Sequence, residues 1–192
     1  MKEIVFATNN PHKLEELRQI AGNRFKILSL KDIDCFDKIP ETANNIEGNA
    51  LQKANFIKER YGYDCFADDT GLEIAALNGA PGVYSARYAG AECNSEKNID
   101  KVLQNMKGVK NRAARFRTSI ALRIGDTMHV FEGEVKGEIL TERHGTGGFG
   151  YDSIFKPEEA DCSFAEMEAQ KKNAISHRGR ATALLLNYLK SI

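Results

Sequence analysis

The order of apolar and polar positions at the start of the chain predicts a strand, a loop and a helix. Residues 4–7 form a short apolar run that is typical of a buried first strand. After a polar stretch, apolar side chains recur at helical spacing over residues 14–21. Asn10 is a good N-cap, Pro11 suits the first helical position, and Gly22 suits the C-terminal stop. The first helix therefore has local signals at both of its ends.

Beyond this opening, the pattern predicts helices and strands that alternate early and an antiparallel hairpin that comes late. The predicted elements, in chain order, are a helix around 51–57, a strand over 64–67 that ends at 68–70, a brief helical stretch over 72–77, a helix over 95–106, a hairpin of 116–124 and 128–135, a helix opened by a capping box at 163–166, and a helix with apolar positions 181, 184, 185, 188 and 189. No repeat or linker interrupts the chain. We therefore predict a single domain over residues 1–192 in the mixed α/β class.

The composition argues against partners that require a strong net charge or a membrane. Lys plus Arg and Asp plus Glu each number 27 in 192 residues, so no global field attracts nucleic acid or an anionic bilayer. No apolar run approaches the roughly 18 residues of a membrane span, and the first residues turn polar too soon for a signal peptide. The four scattered cysteines form no C-x-x-C pair. We expect a cytoplasmic protein with reduced thiols that binds neither a nucleic acid polymer nor a membrane.

The polar segment 8–13 lies between the first predicted strand and the first predicted helix. Free backbone N–H groups and the positive end of the helix dipole suit an anion at this position. Thr8, Asn9 and Asn10 add side-chain donors, and Lys13 adds a charge that suits phosphate. The Walker A pattern is absent. Taken alone, the segment fits a capped helix with a solvated lysine better than a phosphate site.

Two adjacent carboxylates, Asp68 and Asp69, come directly before Thr70 at the end of a predicted strand, where α/β sheets often carry functional groups. Such neighbours repel each other unless a divalent cation neutralises them, and Mg²⁺ prefers hard oxygen ligands and a phosphate substrate. One of the carboxylates could also accept a proton from an attacking water. A capped turn is an equally good explanation. A further acid near the second helix, Glu41 or Glu47, could complete a metal site, although solvated charges near a helix start explain these two residues more readily than they explain the aspartates.

The glycine-rich segment 145–152 contains an aromatic residue that a solvated loop would not need. Glycines permit positive φ and close approach of the backbone. Phe149 is well suited to stack on a base, and Asp152 could orient a neighbouring donor or read a base edge. In the alternative interpretation, Phe149 and Tyr151 only anchor the loop on the core. We favour the functional interpretation slightly.

The segment 171–180 brings several cations together around a predicted helix junction. Lys172, His177 and Arg178 offer donors there, and Ser176 is a candidate cap. An ordinary cationic surface would explain the same residues. However, one small α/β domain contains four separate polar clusters. A purely structural explanation is less convincing for all four together than for any single one.

These segments match the motifs of a known family. The chain resembles, from end to end, the inosine triphosphatase-like pyrophosphatases of noncanonical purine nucleoside triphosphates. The matching motifs are Thr8-Asn9-Asn10 with Lys13, Glu47-x-Asn49-Ala50 with Lys53-Ala54, residues 67–72 (ADDTGL), residues 79–88 (GAPGVYSARY), residues 149–152 (FGYD), residues 163–167 (SFAEM), and Lys172-Asn173 with Ser176-His177-Arg178. Each motif is weak alone, but together and in the family's order they are very specific.

The resemblance implies an elongated α/β fold with two lobes around a twisted mixed β-sheet and a nucleotide cleft between the lobes. It also implies a homodimer that removes deaminated purines, such as ITP, dITP and XTP, from the nucleotide pool. In the favoured mechanism, water attacks the α-phosphorus with the assistance of Mg²⁺, and the products are the monophosphate and pyrophosphate.

The resemblance also implies roles for individual residues. Asp69 would be the catalytic base and, with Glu41, a Mg²⁺ ligand, although Glu47 or Asp68 could share the role of Glu41. Residues 8–13 would bind phosphate, and residues 149–152, with Lys172, His177 and Arg178, would contact the base. The substrate-binding set is Thr8, Asn9, Asn10, Lys13, Lys53, Thr70, Phe149, Gly150, Tyr151, Asp152, Lys172, His177 and Arg178.

Two other function classes compete with hydrolysis. A phosphotransferase would pass a phosphoryl group to an acceptor, but neither a Walker A loop nor a kinase-type signature supports it. A non-catalytic purine nucleotide sensor or an RNA-binding module would bind without turnover. The balanced charge and the lack of a basic stripe argue against RNA.

Overall fold

The computed structural model describes residues 3–192, and in this part of the chain helices and strands alternate. The strands are β1 (Glu3–Phe6), β2 (Lys26–Leu28), β3 (Cys65–Ile74), β4 (Pro81–Gly82), β5 (Ala113–Ile124), β6 (Thr127–Ile139) and β7 (Phe155–Pro157). The α-helices are α1 (Pro11–Ala21), α2 (Ile46–Tyr61), α3 (Ser95–Asn105), α4 (Ala169–Ile175) and α5 (His177–Lys190). Short 3₁₀ turns occur at Gly22–Arg24, Lys31–Ile33, Ala75–Leu77, Ser85–Arg87, Asp152–Ile154 and Phe164–Glu166.

The strands form one mixed sheet in the order β2-β1-β3-β5-β6-β7, with β4 paired to β3. Strand β1 runs parallel to both β2 and β3, whereas β4 and β7 are antiparallel to their partners. Only two residues, Gly125 and Asp126, join β5 to β6, and a link this short makes an antiparallel hairpin. Gly125 supplies the positive φ of this turn. The predicted α/β class with a mixed sheet and the predicted hairpin are confirmed.

Local capping signals set the ends of the helices where the sequence predicts them. The Asn10 side chain accepts hydrogen bonds from the backbone N–H groups of His12 and Lys13, and Gly22 ends α1 with φ of 57°. Asn94 caps α3 in the same way by accepting from the N–H of Lys97. These three predicted helix boundaries are confirmed.

The prediction for residues 68–77 is wrong in part, because β3 does not end at the aspartates. It continues through Asp68, Asp69 and Thr70 to Ile74, and only Ala75–Leu77 forms a helical turn. The pairing of Leu72 with Gly82 on β4 holds this second half in the sheet. The capped-turn interpretation of the aspartates is therefore excluded.

Two smaller corrections concern helices near the C-terminus. The capping box at residues 163–166 is present, but it opens a single 3₁₀ turn, and α4 begins only at Ala169. On α5, Leu184 is half exposed, and Leu186 is buried although it was not among the predicted apolar positions. The apolar face of α5 is therefore shifted from the predicted one.

The chain divides into two compact units. The first comprises the residues up to Asp69 with Thr118–Gly133 and Arg178–Ile192, and the second comprises Thr70–Arg117 with Glu134–His177. The first unit has a core on each face of its strands, because Ile4 and Phe6 pack with α1 and α5 while Val5 and Ala7 pack with α2. The prediction of one domain over residues 1–192 stays a prediction. No helix in the described residues 3–192 is both long and apolar enough to cross a membrane.

Candidate functional site

Asp68 and Asp69 have different surroundings because they occupy successive positions of β3. Side chains alternate between the faces of a strand, so Asp68 shares the face of Phe66, which packs with α1 and α5. Asp69 shares the face of Ala67, which packs with α2. The two adjacent carboxylates therefore do not form a single pair but belong to two polar clusters within the first unit.

Asp68 is fully buried and bound by two cations. One carboxylate oxygen lies 3.1 Å from Lys13 Nζ, and the other lies 3.2 Å from Arg178 Nε. Arg178 also binds Glu16 on α1, with 2.5 Å between its nitrogen and the carboxylate oxygen. Burial disfavours the charge of Asp68, but Lys13 and Arg178 outweigh it and hold the pKa of this carboxyl well below its ordinary value. Asp68 is therefore a permanent anion that orients Lys13 and Arg178.

Segment 8–13, the candidate phosphate site, contains the helix cap that the sequence predicts and a mostly buried cation that the sequence does not predict. Asn10 caps α1 as in the plainer interpretation, and Thr8 Oγ1 accepts a hydrogen bond from the Asn10 N–H. Asn9 is exposed. Lys13, however, is not a solvated lysine, because its ammonium is mostly buried against Asp68. Burial lowers the pKa of Lys13 despite the attraction of that carboxylate. The segment therefore combines a helix N-terminus with an oriented cation.

Asp69 lies in a second cluster with Asn49 and Lys53 of α2. Asn49 Nδ2 donates to one oxygen of Asp69 at 3.0 Å, and Lys53 Nζ lies 3.9 Å from the other oxygen. Glu41 binds the same ammonium at 2.5 Å. Burial raises the pKa of Asp69 although Lys53 and Lys13 oppose this change. The carboxylates of Glu41 and Asp69 thus both approach the Lys53 ammonium, although they come from two different parts of the chain.

The donor set near Asp69 is compatible with Mg²⁺. Among residues 3–192, no group of three or more His, Cys, Asp or Glu side chains is placed to hold a metal. Mg²⁺ does not need such a group, because one or two carboxylates suffice when phosphates and waters complete its shell. Glu41 and Asp69 provide two carboxylates around a common cationic position. Both oxygens of Asp68 already bind cations, and Glu47 is exposed on the first turn of α2. Glu41 as the second acid stays a prediction.

The second unit contains a cluster around Asp152 at the end of the glycine-rich loop. The Asp152 carboxylate accepts a hydrogen bond from the Phe149 N–H at 3.0 Å and binds Lys172 Nζ at 2.7 Å. The same ammonium lies 4.8 Å from the centre of the half-buried Phe149 ring. Gly148 has φ of 66°, and a Cβ there would stand 2.2 Å from the Asp152 carboxylate. Glycine at this position therefore permits the contact that holds Phe149 in place.

Of the remaining predicted residues of this unit, Tyr151 and His177 are anchored in the core. Tyr151 is buried, and its hydroxyl donates to the Ser85 carbonyl at 2.6 Å. The burial of its side chain raises the pKa of Tyr151, so this phenol stays neutral. The His177 ring stacks on Phe116 with 4.5 Å between ring centroids. Gly150 has φ of 58°, and Thr70 is partly exposed on β3. Tyr151 thus fulfils the anchoring interpretation, while its backbone stays in the loop.

Sequence reasoning assigned no role to two residues that complete these clusters. Glu16, one helical turn after Lys13, binds Arg178, and Asn49 binds Asp69. A faint signal existed for Asn49, because a polar residue among the buried positions of a helix needs a partner. Arg178 was grouped with the base-contacting residues, yet its two described acidic partners are Asp68 and Glu16 of the first unit.

Nearly the whole chain is similar to known proteins. The model of the Ham1 family matches residues 4–188. A dITP/XTP pyrophosphatase of Flavobacterium johnsoniae is 51% identical over 187 residues, which cover 97% of each chain. One of Porphyromonas gingivalis is 52% identical over 190 residues, or 98% of each chain. The solved structure of a HAM1 protein from Coxiella burnetii superimposes with a TM-score of 0.90, at 37% identity over 100% of both chains. The structure of the Staphylococcus aureus Ham1 protein superimposes with a TM-score of 0.89, at 37% identity over 99% of both chains.

Proposed function

Because the chain belongs to the Ham1 family, we propose that it hydrolyses noncanonical purine nucleoside triphosphates, among them ITP, dITP and XTP, to the monophosphate and pyrophosphate. Relatives that share about half of its residues over nearly their whole length carry the name dITP/XTP pyrophosphatase. The observation that carries the proposal within the structure is the contrast between the two aspartates of β3. Asp68 is committed to Lys13 and Arg178, whereas Asp69 lies beside Lys53, which also binds Glu41.

We assign the role of general base to Asp69. Water attacks the α-phosphorus, and its proton passes to the Asp69 carboxylate. The bond between the α-phosphorus and the oxygen that bridges to the β-phosphate breaks, and pyrophosphate leaves with the bonding electrons. Asp68 is unsuited to this role because it is fully buried and both of its oxygens bind cations. Glu41 and Asp69 would hold Mg²⁺, which when bound neutralises phosphate charge and makes a bound water more acidic.

The phosphates are assigned to the first unit. The side chains of residues 8–10 and the ammonium of Lys13 offer donors to the outer phosphates at the positive end of the α1 dipole, while Asn10 already binds the N–H groups of His12 and Lys13. Lys13 keeps a fixed orientation because Asp68 holds it, which lowers the entropic cost of binding the substrate. Lys53 lies between Glu41 and Asp69, and we assign it to a substrate phosphate beside the proposed Mg²⁺ site.

The purine base is assigned to the Asp152 cluster. Phe149 offers a stacking surface, and the backbone of residues 149–152 offers donors and acceptors to the edge of the base. Lys172 and His177 complete this group, with Thr70 and Arg178 as further substrate contacts. A 6-keto group accepts hydrogen bonds where the 6-amino group of adenine donates them, and a mismatch of this kind discriminates by about 10⁴–10⁵.

Three broader assignments rest on family membership. We propose that the protein is a homodimer, that it acts in the cytoplasm, and that it clears deaminated purines from the nucleotide pool. Light scattering coupled to size-exclusion chromatography tests the first assignment, because a mass of 21.4 kDa would indicate a monomer and twice that mass a dimer.

The decisive experiment is a panel of nucleoside triphosphates with pyrophosphate and phosphate measured separately. We expect multiple turnovers of ITP, dITP and XTP, far slower turnover of ATP, and no need for an acceptor. In ¹⁸O-labelled water the label should enter the monophosphate, because water attacks the α-phosphorus. Label in the pyrophosphate would contradict the mechanism. Tight binding of ITP without turnover would instead indicate a nucleotide sensor.

A further inference from the structure

Three side chains of α2 hold three consecutive residues of the loop that precedes it. Lys53 binds the Glu41 carboxylate at 2.5 Å. Gln52 accepts from the Thr42 N–H at 2.8 Å and donates to the Thr42 hydroxyl at 2.9 Å. Asn49 Oδ1 accepts from the Ala43 N–H at 2.9 Å. Because positions three and four apart share one face of a helix, α2 can present these side chains together to the loop.

Asn49 connects the loop to the acid that we assign as the base through hydrogen bonds at both ends of its side-chain amide. While its oxygen accepts from Ala43, its amide nitrogen donates to Asp69 Oδ2 at 3.0 Å. The orientation of the amide is not arbitrary, since the Ala43 N–H can donate only to the oxygen and the nitrogen must then face the carboxylate. Its side chain is almost completely buried. One end of this amide therefore binds a proposed metal ligand, Asp69, and the other end binds the loop that carries the second proposed ligand, Glu41.

We propose that Asn49 is a positioning residue that fixes the Asp69 carboxylate relative to the loop that carries Glu41. The proposal rests on the proposed function, which makes these two acids the Mg²⁺ ligands and Asp69 the base. The Asn49 amide is hydrogen-bonded to Asp69 Oδ2, and the other oxygen of Asp69, Oδ1, lies towards Lys53. Asparagine is a poorer helix former than alanine, so helix stability does not explain its presence in the interior of α2.

The experiment compares Asn49→Ala with a matched control, Asn98→Ala. Asn98 is also a buried asparagine on a helix, and its amide also joins two backbone groups outside that helix, the Ala89 N–H at 2.7 Å and the Ala86 carbonyl at 2.9 Å. Neither of these groups belongs to the proposed site. Both substitutions remove a buried amide and leave a partly buried backbone N–H without its acceptor, so we expect both to destabilise the fold by similar amounts. Only the Asn49 variant removes a hydrogen bond from a proposed metal ligand.

We expect Asn49→Ala to weaken metal binding and to lower kcat, each by about 10–100-fold, as is usual when a hydrogen-bond partner of a metal ligand is lost. Titration of Mn²⁺ into the substrate-free protein, followed by electron paramagnetic resonance, measures metal binding without turnover. The kcat for ITP is measured at saturating Mg²⁺. Asn98→Ala should stay within about twofold of the unsubstituted protein in both measurements. If Asn49→Ala does not fold, Asn49→Ser replaces it, because serine is too short to bridge both partners.

The outcomes separate this inference from the function on which it rests. If the Asn49 variant matches Asn98→Ala in Mn²⁺ affinity and kcat, Asn49 is only structural and the inference is rejected. If Asp69→Asn keeps normal turnover, the assignment of Asp69 itself is wrong. An inactive Asp69→Asn together with a normal Asn49→Ala would reject the inference and leave the proposed function intact.

Discussion

At the scale of single residues, burial and charge give two chemically identical neighbours different tasks. Asp68 and Asp69 follow each other on β3, yet one faces Lys13 and Arg178 while the other faces Asn49 and Lys53. Nearby cations lower the pKa of Asp68 in spite of its burial, whereas burial raises the pKa of Asp69. When the surroundings shift the pKa values of two carboxyls in opposite directions, the two groups commonly serve different roles in a site.

A pair of amide substitutions tests this division. We expect Asp69→Asn to lose about 10²–10⁴-fold in kcat through the lost base, while its unfolding free energy in urea changes little. Asp68→Asn should instead lose about 3–5 kcal/mol of unfolding free energy, because it leaves the buried Arg178 and Lys13 poorly compensated. Equal stability losses in the two variants would contradict the division.

The role of Phe149 can be tested with the same nucleotide panel. Every purine offers a ring face, so stacking should add affinity without selectivity. We expect Phe149→Ala to raise KM for ITP, XTP and residual ATP by a similar factor, equivalent to about 1–3 kcal/mol. Phe149→Tyr retains the ring and is the control. A loss confined to the 6-keto substrates would show that the residue reads the base edge.

At the scale of elements, the N-terminus of α1 differs from an ordinary helix start in what surrounds it rather than in its own chemistry. Asn10 and Asn94 cap α1 and α3 through the same type of contact between side chain and backbone. Of these two helices, α1 carries on its first turn a lysine, Lys13, whose ammonium is mostly buried against Asp68, whereas Lys97 on the first turn of α3 is exposed. The cap is thus a local feature, and the oriented cation comes from the tertiary contact with Asp68.

These two caps form a matched pair for experiment. Asn10→Ala and Asn94→Ala should each lower the unfolding free energy by about 0.5–2 kcal/mol, the usual effect of removing an N-cap. Only Asn10→Ala should also weaken the binding of a triphosphate, measured by calorimetry with a non-hydrolysable ITP analogue. If Asn94→Ala weakened binding equally, the first turn of α1 would have no special role.

At the scale of the whole molecule, the net charge is zero, with 27 basic and 27 acidic residues. A polyanion is therefore attracted only where a few cations are gathered and oriented, as around Lys13. This distribution favours a compact anion such as a triphosphate over an extended nucleic acid.

The charge balance makes a prediction about nucleic acid. Fluorescence anisotropy with labelled single-stranded and duplex oligonucleotides at about 0.15 M salt should detect no complex tighter than the roughly 10⁻⁴–10⁻⁶ M of non-specific binding. A triphosphate analogue in the same buffer provides the positive control. A tight complex with a steep dependence on salt would contradict this expectation and revive the RNA-binding alternative.

The sequence by itself determined the features that depend on neighbouring residues. The cap at Asn10, the stop at Gly22, the Gly125-Asp126 hairpin and the Ser163 capping box are all made by groups a few positions apart, so a single sequence contains both partners. The motifs that resemble a known family likewise stand in the chain in a fixed order, and family membership follows from them.

Only the tertiary structure decided features whose partners are distant in sequence. Strand β3 extends past the aspartates because β4 pairs with it, and Arg178 reaches Asp68 across 110 positions. The ion pair of Glu41 with the Lys53 ammonium beside Asp69 likewise joins distant positions and does not follow from local propensity. Local patterns cannot rank such contacts, because the energy of a buried charge is set by the partners that folding brings to it.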